Sequence, residues 1–147
     1  MSDELAGKIA FVTGGSNGIG AAAVRKLADA GAEMIIGYNT GEDRANAILA
    51  DLPGDGHSIQ QLTLEDGASV KRAAETIKAN HPKLDILVNS AGFTKAIPHD
   101  DLDALDDEFM DQMLIANVRG PFSVIREFRS LLKAGGDSVI VNLSSGS

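Results

Sequence analysis

The 147-residue sequence contains neither cysteine nor tryptophan, and it carries a single tyrosine and few aromatic side chains, 4% in all. Without cysteine there is no disulfide and no thiolate metal site, and nothing points to an oxidising compartment. Basic residues are outnumbered: 13 Lys and Arg stand against 21 Asp and Glu, a formal net charge of −8. That balance argues against nucleic acid as a partner, because a phosphate backbone needs a positive footprint. It leaves room for one anionic ligand held by backbone amides at a helix start. No apolar run approaches the ~20 residues of a membrane span. The opening Met1-Ser-Asp-Glu-Leu is polar and acidic, unlike the basic then apolar opening of a signal peptide. The expectation is a soluble, cytoplasmic chain with no membrane partner.

What is present is 44% hydrophobic and 23% charged, a balance normal for a globular domain. The apolar mass is Ala, Ile, Leu and Val, which suits buried strands flanked by helices. Short apolar runs alternate with helix-patterned stretches. Strands are expected over residues 8–12, 33–37, 57–62, 84–88 and 137–143. Helices are expected from about Gly18 to Gly31, over 42–52 and 68–79, and over a long region 108–133 with a kink at Gly120-Pro121. This βαβαβαβαβ order predicts an α/β fold, a Rossmann-like doubly wound parallel sheet with right-handed crossovers, as one domain over residues 1–147. Few residues follow the last strand, so the sheet is expected to be interrupted after strand five, with a bare apolar edge.

Thr13-Gly-Gly-Ser-Asn-Gly-Ile-Gly20 lies between the first strand and the first helix. A loop there must let backbone amides approach a pyrophosphate, which a Cβ would obstruct. Gly14 permits the turn, Gly18 lets a ligand come close, and Gly20 lets the helix pack on the strand. The helix's positive end faces the phosphates. No Gly-Lys-Ser/Thr closes the loop, so it is not an NTPase phosphate loop.

The pattern Thr-Gly-x-x-x-Gly-Ile-Gly resembles the cofactor signature of the short-chain dehydrogenase/reductase family, and Thr13 to Gly20 matches it at every position. The resemblance runs from about Lys8 to Ser145. It implies a dinucleotide site at Gly14, Ser16, Asn17, Gly18, Ile19 and Gly20. Asn89-Ser-Ala-Gly92 is similar to the family's Asn-Asn-Ala-Gly, with Ser90 for the second asparagine. The resemblance implies that Asn89 ties neighbouring strands and that Ala91 and Gly92 border the adenosine ribose. Thr63 stands where the family has an aspartate on the adenine amino group, and the Thr63 hydroxyl or the Leu64 backbone takes that place.

Two catalytic positions are implied. Asn117-Val-Arg-Gly120 is similar to the family's Asn-x-x-Gly, whose asparagine holds a water in the proton relay. In this sequence Asn117 interrupts an apolar stripe of Met110, Met113, Leu114 and Val124. Strand five ends Asn142-Leu-Ser-Ser145, and Ser145, with Ser144 second, matches the serine beside the substrate carbonyl. The family's proton donor is a tyrosine in Tyr-x-x-x-Lys. The one tyrosine here, Tyr38, is followed four residues later by Glu42 and sits in the adenosine region, so it is not that donor. An alkoxide formed by hydride transfer needs a proton, and a free tyrosine near pKa 10 is a poor shuttle without a neighbouring ammonium.

Cofactor choice turns on the end of strand two. A carboxylate there would grip a ribose hydroxyl and favour NAD. Tyr38-Asn-Thr40 has none, and Arg44 follows, so Asn39 and Thr40 are expected at the cofactor and NADP is preferred over NAD. Asn17 stands where NADP-using relatives often have a basic residue.

The acidic cluster from Asp100 to Asp111 fits helix-start electrostatics better than a metal site. His57, His81 and His99 lack ligand spacing, and the methionines fit core packing. The function implied is an oxidoreductase moving hydride between a nicotinamide cofactor and a small carbonyl or alcohol substrate, in a family that commonly forms homo-oligomers. The 147 residues alone are expected to be inactive. Two alternatives stay open: a complete, non-catalytic nucleotide-binding or regulatory module, which a stop codon directly after Ser147 would favour, and a methyl-transferring enzyme, which usually wants an acid after strand two.

Overall fold

The structure is a computed structural model that describes residues 3–92, 97–98 and 100–143. Five strands form one sheet: β1 (Ile9–Thr13), β2 (Glu33–Tyr38), β3 (Ser58–Gln61), β4 (Ile86–Asn89) and β5 (Val139–Asn142). Their spatial order is β3-β2-β1-β4-β5, and every pairing is parallel. The linking helices are α1 (Gly18–Asp29), α2 (Glu42–Asp51) and α3 (Gly67–Asn80), then α4 (Asp107–Leu114) and α5 (Gly120–Gly135) before β5. The chain winds outward from β1 to β3, crosses back through α3 to β4 on the other side of β1, and continues to β5. This is the expected doubly wound, Rossmann-like sheet.

Alternation along the strands explains the two layers. Ile9 and Phe11 of β1 join Leu87, Val70, Ile77, Val124 and Phe128 in one core, under α3 and α5. Ala10 and Val12 face the other way, to Val24, Ala28, Met34, Ile36 and Ile48 under α1 and α2. In a chain with few aromatics, the fully buried Phe11 and Phe128 stack with ring centroids 5.2 Å apart, joining β1 to α5. Burying such side chains contributes ~1.5–3 kcal/mol each, which is what holds short strands in place.

Polar ties set the register. Buried Asp85 accepts the Ile9 amide at 2.8 Å and pairs with Lys83 at 3.0 Å, so its charge is compensated as burial requires. His57 Nδ1 accepts the Met34 amide at 2.9 Å while Nε2 donates to the Pro53 carbonyl at 2.7 Å, stitching β2 to the loop before β3.

The long helical region departs from expectation. Its irregularity lies not at Gly120-Pro121 but just before it, where Ile115–Arg119 forms a π turn between α4 and α5. Pro121 has no N–H to donate one turn back, and a widened turn accommodates that gap. The turn also shifts the faces. Val124 is buried, but Met110 and Leu114 are exposed and Asn117 lies with them on the surface. The stripe Met110–Met113–Leu114–Val124 is therefore not one buried face, and of the described methionines only Met34 is in the core. At the sheet's edge, Val139, Ile140, Val141 and Leu143 are exposed. Among the described residues, no helix is long and apolar enough to cross a membrane.

Candidate functional site

The strand order reverses between β1 and β4, and a crevice opens there beyond the strands' carboxyl ends, where open α/β sheets take ligands. The cavity measures about 400 Å³, within the range of small-molecule sites. The loop after β1 forms one wall. Gly14 and Gly18 have positive φ, +61° and +55°, a conformation that glycine adopts without strain. Gly20 is a matter of space: a methyl there would overlap the Gly14 carbonyl and stand 2.5 Å from the Ser90 hydroxyl. Around Gly18 nothing lies within 4 Å of such a methyl, so the backbone there opens onto the cavity.

The start of α1 suits an anion. Asn17 occupies the cap position without a side-chain hydrogen bond, and the first turn carries no acidic residue. The amides at this end thus keep their donor capacity, and the helix dipole adds to it.

Residues from the other strand ends complete the cavity. Ser90, Ala91 and Gly92 after β4 face the glycine loop; Tyr38, Asn39, Thr40, Gly41 and Arg44 follow β2; Leu64 and Glu65 follow β3. Ala116 enters from the π turn. Thr13, fully buried at the end of β1, organises the β4 side. Its hydroxyl accepts the amides of Ser90 at 3.1 Å and Ala91 at 3.2 Å, and its carbonyl accepts the Ser90 hydroxyl at 2.8 Å.

Of the residues singled out from the sequence, Gly14, Ser16, Asn17, Gly18, Ile19, Gly20, Asn39, Thr40, Leu64, Ala91 and Gly92 line this cavity together. Thr63 stands behind the lining: its hydroxyl donates to Asn39 Oδ1 at 2.8 Å, and its amide donates to Ser69 Oγ at 2.9 Å. Asn89 is buried in the sheet, where Nδ2 donates to Asn142 Oδ1 at 2.9 Å, tying β4 to β5. Its own Oδ1 is buried without a partner among the described residues. Asn117 lies on the π turn, with Oδ1 2.6 Å from where a methyl on Gly92 would stand. Ser144 and Ser145 lie outside the described residues, as does His99.

Sequence reasoning passed over Thr13 as a tie, and Ser90, Gly41, Glu65 and Ala116 as lining. The signal for the first two was their common level at the ends of adjacent strands. For Gly41, the neighbour is Arg44, whose Nη2 would stand 2.5 Å from a methyl on that glycine, so the guanidinium folds back over the loop at the cavity. The Tyr38 hydroxyl is held above its ordinary pKa, first by burial and then by the nearby Glu42 carboxylate. The acidic run before α4 acts as caps: Asp106 accepts the Phe109 amide at 2.8 Å, and Asp101 accepts the Ala104 amide at 3.2 Å.

The glycine-walled crevice lies at the switch point of a doubly wound sheet, the place where open α/β sheets take ligands. The family is given by comparison: residues 8–147 match the short chain dehydrogenase family, and the chain belongs to it. It is 38% identical over 145 residues to a D-threitol dehydrogenase of Mycolicibacterium smegmatis, covering 97% of this chain and 54% of that one. Identity to the short-chain dehydrogenase reductase 5 of Arabidopsis thaliana is 33% over 143 residues, 97% of this chain and 54% of the relative. The crystal structure of a short chain dehydrogenase from Burkholderia cenocepacia in complex with NADP superposes with a TM-score of 0.83 at 35% identity, over 95% of this chain and 56% of that one. The chain spans about half the length of the curated relatives it matches.

Proposed function

We propose that this chain is the cofactor-binding domain of an NADP-preferring oxidoreductase that moves hydride between the nicotinamide and a small carbonyl or alcohol substrate. The observation that carries the reading is the cavity between the glycine loop and Ala91-Gly92, where a Cβ at Gly20 would collide with the Gly14 carbonyl, one at Gly14 would crowd the Ala91 backbone at 3.0 Å, and one at Gly18 would intrude on open space. That cradle fits a diphosphate. The amides at the start of α1 hold it, Asn39 and Thr40 border the adenosine ribose, and Leu64 with Thr63 behind it borders the adenine. Bound there, the dinucleotide supplies or accepts the hydride.

Support for NADP comes from the end of β2. Tyr38-Asn-Thr40, at the end of β2, carries no carboxylate to repel a 2′-phosphate, and the Arg44 guanidinium lies against the loop at Gly41. An arginine fork suits a phosphate monoester. Asn117 stands beside Gly92 to hold a water of the proton relay, and by the family resemblance Ser145 is the serine that orients the substrate oxygen. The proton donor of the relay, a tyrosine with its lysine, is not supplied by Tyr38.

Fluorescence titration of the chain with NADPH and NADH tests this. Saturable binding with NADPH preferred, and loss of that preference in Arg44→Ala, is the expected result. Failure of both dinucleotides to bind would remove the enzyme assignment, and preference for NADH would remove the NADP assignment alone.

A further inference from the structure

The π turn reaches the cavity at more than Ala116. At its end, Arg119 extends to the loop after β3, and Nη2 donates to the Glu65 carbonyl at 2.6 Å. The next residue, buried Gly120, packs on the neighbouring loop residue: a methyl there would stand 3.0 Å from Leu64 Cβ and 3.4 Å from Cδ2. Consecutive residues of the helical region thus hold consecutive residues of the loop, one by a charge-assisted hydrogen bond and one by close contact.

The loop's other residues are fixed from elsewhere. The Thr63 amide donates to Ser69 Oγ of α3, and the Asp66 carboxylate caps α3 by accepting the Ala68 amide at 3.0 Å. Leu64 and Glu65 lie between these anchors, and both line the cavity. A π turn inserts an extra residue into a helix, and such insertions recur at functional sites because they re-aim side chains. Here the inserted turn aims Arg119 at the loop backbone.

We propose that Arg119 is a positioning residue for the cofactor: by holding the Glu65 carbonyl it sets the Leu64–Glu65 backbone against the purine and so governs recognition of the adenine 6-amino group. This rests on the reading of the cavity as a dinucleotide site. A residue that merely stabilised the fold would weaken every ligand of the cavity alike, whereas a residue that sets this stretch of backbone acts on the purine edge alone.

The test compares two ligands that differ only at that edge: NADPH and its hypoxanthine analogue, in which an oxygen replaces the 6-amino group. Both are titrated by fluorescence against the unaltered chain, Arg119→Ala and Arg119→Lys, with urea denaturation of each protein alongside. The unaltered chain is expected to prefer NADPH. Arg119→Ala is expected to weaken NADPH about tenfold, the effect of one such hydrogen bond, while the analogue changes by less than about twofold. Arg119→Lys, which keeps a cationic donor, restores most of the preference. Equal weakening of both ligands, unchanged NADPH affinity in Arg119→Ala, or equal binding of the two ligands by the unaltered chain would each overturn the assignment. Binding of neither ligand by the unaltered chain is a different failure: it removes the dinucleotide site itself, and this inference with it.

Discussion

Thr13 and Ser90 bind each other twice: the Ser90 amide donates to the Thr13 hydroxyl at 3.1 Å, and the Ser90 hydroxyl donates back to the Thr13 carbonyl at 2.8 Å. The pair clamps the end of β1 to the turn after β4, across the line where the sheet's winding reverses. The glycine loop begins one residue beyond Thr13, so the clamp fixes the spacing between the two walls of the cavity.

Replacing Thr13 with valine keeps the shape and removes the hydroxyl, leaving the amides of Ser90 and Ala91 without their acceptor. A part-buried amide stripped of its partner costs about 1–3 kcal/mol. Thr13→Val is therefore expected to lose about that much in urea denaturation at unchanged slope, and Thr13→Ser to lose less because it keeps the oxygen. Equal stabilities for the two variants would show that the hydroxyl contributes nothing.

The glycines of the loop divide by mechanism, and two substitutions separate them. Gly18→Ala places a methyl in open space at positive φ, so it is expected to cost about 1–2 kcal/mol in strain while projecting into the cavity and weakening NADPH about tenfold or more. Gly20→Ala drives a methyl into the Gly14 carbonyl, and α1 must move away from β1. Its expected cost is about 3 kcal/mol, the upper end of overpacking. Denaturation and titration of both variants check the ordering, and a more stable Gly20→Ala than Gly18→Ala would contradict it.

The loop and the sheet are legible in the sequence because their signals are local. Strand runs such as Ile9–Thr13 and the turn at Gly14 are set by residues next to one another, and the structure keeps their bounds within a residue or two. The surroundings of Asn117 were not legible. A pattern counted at three and four residues joins Met110 and Leu114 to Val124, but the π turn at Ile115–Arg119 adds a residue and rotates α4 against α5. Leu114, Val118 and Phe122 consequently lie exposed, while Ala116 turns to the cavity. Glu65 and Arg119 act through a contact 54 residues apart along the chain, which no local pattern announces.

Gly41 offers a test of cofactor preference that leaves the arginine in place. A methyl on Gly41 would stand 2.5 Å from Arg44 Nη2 and 2.8 Å from Cζ, so Gly41→Ala must push the guanidinium off the loop. The ratio of NADPH to NADH affinity is expected to fall about three- to tenfold, as loss of about 1 kcal/mol gives. The double variant Gly41→Ala/Arg44→Ala should fall no further than Arg44→Ala, because both changes remove the same contact. Additive losses would mean that Gly41 acts by another route.

With one tyrosine and no tryptophan, phenolate absorbance reports Tyr38 alone. Burial raises its pKa first, and the Glu42 carboxylate raises it further, because both disfavour the phenolate. The folded chain is expected to titrate above 10 and the urea-unfolded chain near 10. A proton held more tightly in the folded state than in the unfolded one contributes stability that is present below pH 10. That contribution is lost as pH rises through the folded value. Glu42→Gln removes the second cause and leaves the first, so its midpoint should fall but stay above that of the unfolded chain. A folded midpoint at or below the unfolded one would show that Tyr38 is solvated and that Glu42 does not act on it.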